Sequence, residues 1–207
     1  MPAPLVKICG ITNVEDALFC ANAGTNFLGF IFYTKSPRYI SPEDARKIIA
    51  NLPSSVTPVG VFVNESHESI NEIIHLTKIQ IIQLSGDESP DECSGYPLDV
   101  WKAFRLSSIE EIKQTEEYKI SALLLDGVKG KEYGGTGVLA NIAVAKELQK
   151  EHRLVLAGGL HPDNICTILQ EVQPYVLDVN SGVESSPGKK DYTKVTQLFE
   201  NLSTHRK

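Results

Sequence analysis

Residues 5–32 read LVKICGITNVEDALFCANAGTNFLGFIF: a β-branched run, a helical stretch opened by Asn13 with Asp16 three residues on, and a second β-branched and aromatic run. The pattern is strand, helix, strand. The turn out of the first strand is CGITN (9–13) and not G-x-G-x-x-G, so the fingerprint of a doubly wound dinucleotide-binding sheet is missing from its usual place.

Outward from this unit the same alternation repeats. Six further strand-like runs follow: TPVGVFV (57–63), IQIIQL (79–84), DVWKAF (99–104), ISALLL (120–125), RLVLA (153–157) and YVLDV (175–179). Helix starts lie between them at Ser41-Pro42, Ser66, Ser108 and His161-Pro162, while PDECSG (90–95) has room for a single turn only. Eight βα units in 207 residues leave roughly 26 residues each, which suits an α/β fold of the (β/α)8 TIM-barrel type, with eight parallel strands and short loops. The whole chain, 1–207, reads as one barrel domain.

Composition agrees with a globular chain: 42% hydrophobic and 22% charged, with a mean hydropathy of −0.12. Twenty Lys and Arg against 26 Asp and Glu give a net charge of −6, which offers no electrostatic footprint for nucleic acid. A small anion is still compatible, because a few aimed amides and one Arg make a local site in an acidic protein. The four cysteines, Cys9, Cys20, Cys93 and Cys166, lack any C-x-x-C or zinc-type spacing, so neither a disulfide scaffold nor a structural metal is expected. No leader is evident at the N-terminus, and no apolar stretch approaches about 18 residues, so no membrane partner and a reducing, cytoplasmic setting are expected. Monomer and homodimer are both compatible with the acidic surface.

In such a barrel, chemistry sits at the C-terminal ends of the strands. Cys9 ends the first strand there and is either a small buried hydrophobe or a base or nucleophile, with the Lys7 ammonium two residues back to favour thiolate. Lys7 has its own structural role in view, since Asp178 on the last strand abuts the first when the barrel closes. Asp126 follows the apolar run 122–125, where loss of water raises a carboxyl pKa and suits a general acid; the alternative is a loop cap or a pair with Lys129. Arg38, in KSPRY after the second strand, either binds a carboxylate through its planar fork or is merely solvated. Gly158-Gly159 and Ser181-Gly182, after strands seven and eight, lie where barrels hold phosphate on bare backbone N–H groups. YGGTG (133–137), with Gly135, reads as a substrate-facing loop. Trp101 reads as packing, and the five scattered histidines as solvated.

These residues together resemble the phosphoribosylanthranilate isomerase family over nearly the whole chain. The resemblance is carried by KICGIT (7–12) with EDA (15–17), LGFIFYTKSPRYISPEDAR (28–46), VGVFVNE (59–65), LLLD (123–126) with YGGTG (133–137), LAGGLHPDNI (156–165) and DVNSGVESSPGKKD (178–191). It implies a (β/α)8 barrel that carries out an Amadori rearrangement of a small phosphorylated anionic substrate without cofactor or metal. It also implies Cys9 as general base, Asp126 as general acid, Arg38 on the anthranilate carboxylate, and the Gly158-Gly159 and Ser181-Gly182 turns on the phosphate. Two departures stand out. The family's QLHG reads Gln83-Leu84-Ser85-Gly86 here, and the F-D-W that follows GGTG is replaced by Val138-Leu139-Ala140-Asn141. An indoleglycerol phosphate synthase would need catalytic lysine and glutamate at strand ends, which Cys9 and Asp126 are not. A barrel that only binds phosphate, or one with altered specificity, is the remaining alternative.

Overall fold

The computed structural model describes residues 4–127 and 139–205. Eight parallel strands close into a barrel, each paired with its sequence neighbour and the last with the first. They are β1 (Leu5–Ile8), β2 (Phe27–Ile31), β3 (Thr57–Phe62), β4 (Ile81–Leu84), β5 (Asp99–Phe104), β6 (Ala122–Leu125), β7 (Leu154–Leu156) and β8 (Val176–Val179). Closure sets Lys7 opposite Asp178, as the sequence predicts for that pair.

Strand alternation divides the apolar residues between two cores. Phe27, Val59, Trp101, Leu124 and Val155 belong to the barrel interior, where Phe27 and Trp101 meet edge to face with ring centroids 5.1 Å apart. Trp101 therefore packs, as expected. Ile8, Leu28, Phe30, Ile82, Leu84, Leu123 and Leu177 belong to a second cluster with the apolar faces of the helices, and each such side chain contributes about 1.5–3 kcal/mol by leaving water.

The helices are α1 (Val14–Ala23), α2 (Pro42–Ile49), α3 (His67–Thr77), α4 (Ile142–Leu148), α5 (Pro162–Glu171) and α6 (Tyr192–His205). Their starts follow the sequence signals. Asn13 accepts the Asp16 N–H at 2.8 Å and donates to the Asp16 carboxylate at 2.9 Å, and Ser41 and Ser66 cap α2 and α3 through their hydroxyls. Among the described residues no helix is long and apolar enough to cross a membrane.

Two of the expected units depart from the simple repeat. Segment 90–95 forms one turn, held by the Cys93 N–H on the Ser89 carbonyl at 3.1 Å. Lys102 anchors the same connection: its ammonium donates to the Gly86 carbonyl at 2.8 Å and pairs with Glu88 at 3.0 Å, while Glu88 accepts the Asn64 and Gly86 N–H groups. The helix predicted after Ser108 is a 3₁₀ helix, Ile109–Thr115. There the Thr115 hydroxyl donates to the Ile112 carbonyl at 2.9 Å and Glu111 accepts from Ser107, so side chains take up bonds that an α-helix makes through its backbone. After β8 the chain makes a 3₁₀ turn, Ser181–Val183, and then an antiparallel hairpin of β9 (Glu184–Ser186) and β10 (Lys189–Lys190), before entering α6.

Candidate functional site

The C-terminal ends of the strands open into one cavity of about 590 Å³. Cys9 reaches it from the end of β1, Arg38 from the loop after β2, Asp126 from the end of β6, Gly158 and Gly159 from the turn after β7, and Ser181 from the turn after β8. Gln83, Ser85, Arg105 and Asp178 complete the polar part of its wall. Among the described residues no histidine lines it. Gly135 and the rest of the segment 133–137 lie outside the described residues, as does Lys129.

Space for the Cys9 sulfur depends on Gly29 across the strand pair. A Cβ at Gly29 would sit 2.7 Å from Cys9 Sγ and 3.2 Å from Lys7 Cε, so any larger residue there displaces the thiol. Lys7 is fully buried and its ammonium meets Asp178 Oδ2 at 2.7 Å. Burial works to lower the Lys7 pKa, but Asp178 and Cys9 outweigh it and hold the side chain cationic. The expected thiolate is corrected by the structure. Burial pushes the Cys9 thiol up, and Asp178 adds to this; Lys7 and Lys190 pull the other way without reversing it. The Cys9 thiol is thus shifted toward its protonated form.

Asp126 follows the apolar β6 and accepts the Gly127 N–H at 2.8 Å. Burial raises its pKa; that hydrogen bond and the charges of Arg105 and Lys7 oppose the rise, while Asp178 reinforces it. The carboxyl is thus shifted toward its proton-carrying form, in the direction a general acid needs.

Arg38 is buried and is not simply solvated. Its Nε donates to both Glu184 oxygens at 3.0 Å and its Nη2 to Oε2 at 2.7 Å. The hairpin also sets Lys190 opposite Glu184, where its ammonium pairs with Oε1 at 2.9 Å and donates to the Cys9 carbonyl. The Lys190 N–H reaches Asp16 at 2.8 Å and ties the hairpin to the start of α1. Burial alone would raise the Glu184 pKa, yet Arg38 and Lys190 bring it below the ordinary carboxylate range. Two cations thus share one carboxylate, and Arg38 Nη1 makes no bond among the described residues. With Arg105 also at the wall, a chain of net charge −6 presents a locally cationic pocket.

Neither Glu184 nor Lys190 is singled out by a sequence pattern beyond the motif at 178–191. The usable signal is Ser186-Pro187-Gly188, a turn between the two side chains. Glu184→Gln leaves both buried cations without their carboxylate and should cost about 3–5 kcal/mol of stability. Urea unfolding measures this, and a midpoint equal to that of the wild type would contradict it.

At the turn after β7, Gly158 and Gly159 take φ of +79° and +59°, which favour glycine. Among the described residues, the N–H groups of Gly158, Gly159, Ser181 and Gly182 make no hydrogen bond to the protein. Gly182 itself stands behind the wall, because the turns after β7 and β8 approach so closely that its Cβ would lie 1.9 Å from the Leu160 carbonyl oxygen. Gly182→Ala should part the two turns and weaken binding of a phosphorylated ligand by about tenfold or more, as over-packing of this kind costs about 1–3 kcal/mol. Calorimetric titration checks it; unchanged affinity would show that the turns need not touch.

A closed parallel barrel with a polar, cationic pocket at the C-terminal ends of its strands defines a TIM-barrel enzyme. The family model for N-(5'phosphoribosyl)anthranilate (PRA) isomerase matches residues 6–201. The chain belongs to this family and is an isomerase. It is 47% identical over 197 residues to the N-(5'-phosphoribosyl)anthranilate isomerase of Trichlorobacter lovleyi, covering 95% of this chain and 96% of that relative. The crystal structure of the Thermus thermophilus enzyme superposes with a TM-score of 0.89 at 38% identity, covering 97% of this chain and 98% of that one. A family structure in complex with reduced 1-(o-carboxyphenylamino)-1-deoxyribulose 5-phosphate superposes with a TM-score of 0.85, also at 38% identity, covering 97% and 99%. Among the described residues no group of three or more His, Cys, Asp or Glu side chains is placed to hold a metal ion.

Proposed function

We propose that this protein converts N-(5'-phosphoribosyl)anthranilate to 1-(2-carboxyphenylamino)-1-deoxyribulose 5-phosphate in tryptophan biosynthesis, by an Amadori rearrangement in which Asp126 is the general acid and Cys9 the general base. The observation that carries this reading is the meeting of these two groups in one pocket, a buried carboxyl shifted toward its acid form and a thiol beside an ammonium. Asp126 gives its proton to the ring oxygen; the C1′–O bond breaks and the nitrogen lone pair forms a C1′=N iminium. The Cys9 thiolate then takes the C2′ proton, and the C–H electrons form C1′=C2′ as the iminium π pair returns to nitrogen. Loss of the 2′-hydroxyl proton and protonation of C1′ give the ketone.

The anionic ends of the substrate meet complementary groups. The phosphate lies on the N–H groups of the Gly158-Gly159 and Ser181-Gly182 turns. The anthranilate carboxylate takes Arg38 Nη1, while Glu184 fixes the guanidinium plane from the other side. A related structure in complex with a reduced phosphorylated product supports the substrate class.

The pKa directions predict an inverted assignment of the pH profile. The reactive form needs Cys9 without its proton and Asp126 with its own, yet burial raises both groups, and the thiol starts from the higher ordinary value. Below the Asp126 pKa, kcat/KM rises with pH as thiolate forms; between the two pKa values gain of thiolate and loss of carboxylic acid cancel; above the Cys9 pKa only the loss remains. The profile is bell-shaped, with its acid limb set by Asp126 and its alkaline limb by Cys9. In Asp126→Asn the residual rate should climb steadily up to the thiol pKa. A flat wild-type profile, with chemistry shown to be rate-limiting, would overturn the assignment.

A further inference from the structure

Lys190 takes no part in the proton transfers above, and its side chain is 0% exposed and absent from the cavity wall. An ammonium is costly to bury unless it is paired and hydrogen-bonded. Lys190 finds three acceptors: Glu184 Oε1 at 2.9 Å, Asn180 Oδ1 at 3.3 Å and the backbone carbonyl of Cys9. The third ties it to the base. β1 ends at Ile8, and among the described residues no backbone N–H reaches the Cys9 carbonyl beyond it, so the ammonium is its donor. The chain then turns through Gly10 at φ +74°, where a Cβ would lie 2.8 Å from Asn180 Oδ1 and 2.9 Å from Arg38 Cδ. Lys190 thus holds the strand end that carries the thiol, from behind the cavity.

The charges that act on the thiol come from three elements: Lys7 on β1, Asp178 on β8 and Lys190 on β10. Lys7 and Asp178 meet one to one at 2.7 Å and pull the thiol in opposite directions. Lys190 is matched differently. Its carboxylate, Glu184, is shared with Arg38, so two cations stand against one anion. From α1, Asp16 accepts the Lys190 N–H and the Asn13 side-chain amide, and the Cys20 thiol, which burial pushes up to about 12, is uncharged at neutral pH.

Resting on the isomerase reading above, we propose that Lys190 is a positioning residue for the general base: it fixes the Cys9 backbone through the carbonyl and sets a buried positive charge behind the thiol, favouring the thiolate that takes the C2′ proton. The β9–β10 hairpin delivers it. Through Glu184 the same hairpin anchors Lys190 behind the base and Arg38 at the carboxylate end of the substrate.

The test labels the cysteines with ¹³C at Cβ and follows the Cys9 resonance, identified by its loss in Cys9→Ala, against pH in the wild type, Lys190→Met and Lys102→Met. Methionine is close to lysine in length and has neither charge nor donor. Lys102→Met is the control, because it breaks another buried Lys–Glu pair, with Glu88, and weakens the fold without touching Cys9. Lys190→Met should raise the Cys9 midpoint by about one pH unit or more and move the alkaline limb of kcat/KM up with it. It should lower kcat by about three- to tenfold, the stronger base recovering part of the loss. Arg38 keeps Glu184, so the reduced product should bind within about twofold of wild type. Lys102→Met should leave midpoint and limb in place. A Cys9 midpoint unchanged in Lys190→Met, or moved as far by Lys102→Met, would overturn the proposal while leaving the isomerase reading intact. Should Lys190→Met fail to fold, the ¹⁵Nζ resonance of Lys190 in the wild type decides: it should step at the Cys9 midpoint and lose that step in Cys9→Ala, and a resonance indifferent to Cys9 would overturn the proposal. A folded wild-type protein without turnover would remove the isomerase reading, and this inference with it.

Discussion

Cys9→Ala should leave a folded protein that binds the reduced product as wild type does, with kcat lower by about 10²–10⁴-fold, the usual contribution of a positioned proton-transfer group. The side chain is small and buried and accepts only weak bonds, so its loss opens little space; Gly29, Lys7 and Asp178 keep their places around it. Single-turnover kinetics beside calorimetry separates the two quantities. A large loss of affinity with kcat preserved would make Cys9 a packing residue, the plain reading of a lone buried cysteine.

Asp126→Asn is the second large effect. The amide keeps the shape and can still accept the Gly127 N–H, but it has no acidic proton for the ring oxygen. The expected fall in kcat is again about 10²–10⁴-fold. Its position in the reaction adds a diagnostic: a substrate already opened to the imine should bypass the need for the acid and restore turnover in Asp126→Asn, while Cys9→Ala gains nothing from it. Equal rescue of both variants, or of neither, would contradict the division of roles.

The barrel was legible because its determinants are local. Period-two apolar runs, an Asn13 cap and Ser-Pro helix starts each act within a few residues, and eight repeats leave few ways to close a parallel sheet. Even the pair Lys7–Asp178, 171 residues apart, follows from the rule that the first strand meets the last. Arg38 and Glu184, 146 residues apart, obey no such rule. They meet because the loop after β2 and a hairpin after β8 fold over the same rim, and one sequence carries no signal of that. The state of Cys9 was hidden for a related reason. Lys7 two residues away is visible in the sequence and argues for thiolate, whereas the burial that outweighs it exists only once the barrel has closed.

The same distinction explains the fourth and fifth units. Their helical signals are weak because Ser, Pro, Glu and Thr side chains compete for backbone groups, and buried Lys102 with Glu88 secures one of the connections without a helix. Ser85, one of the two departures from the resembled pattern, sets a hydroxyl in the pocket wall that accepts from Gln83 Nε2 at 3.0 Å.

The proposed activity is isomerisation of N-(5'-phosphoribosyl)anthranilate in this pocket. Its most direct test mixes the purified protein with freshly made substrate and follows loss of the anthranilate fluorescence, beside Cys9→Ala and Asp126→Asn. The account predicts rapid decay with the wild type and decay near the spontaneous rate with either variant. Decay no faster than spontaneous with a folded wild-type protein that still binds the reduced product would contradict it, and would leave a barrel that binds the phosphorylated ligand without turning it over.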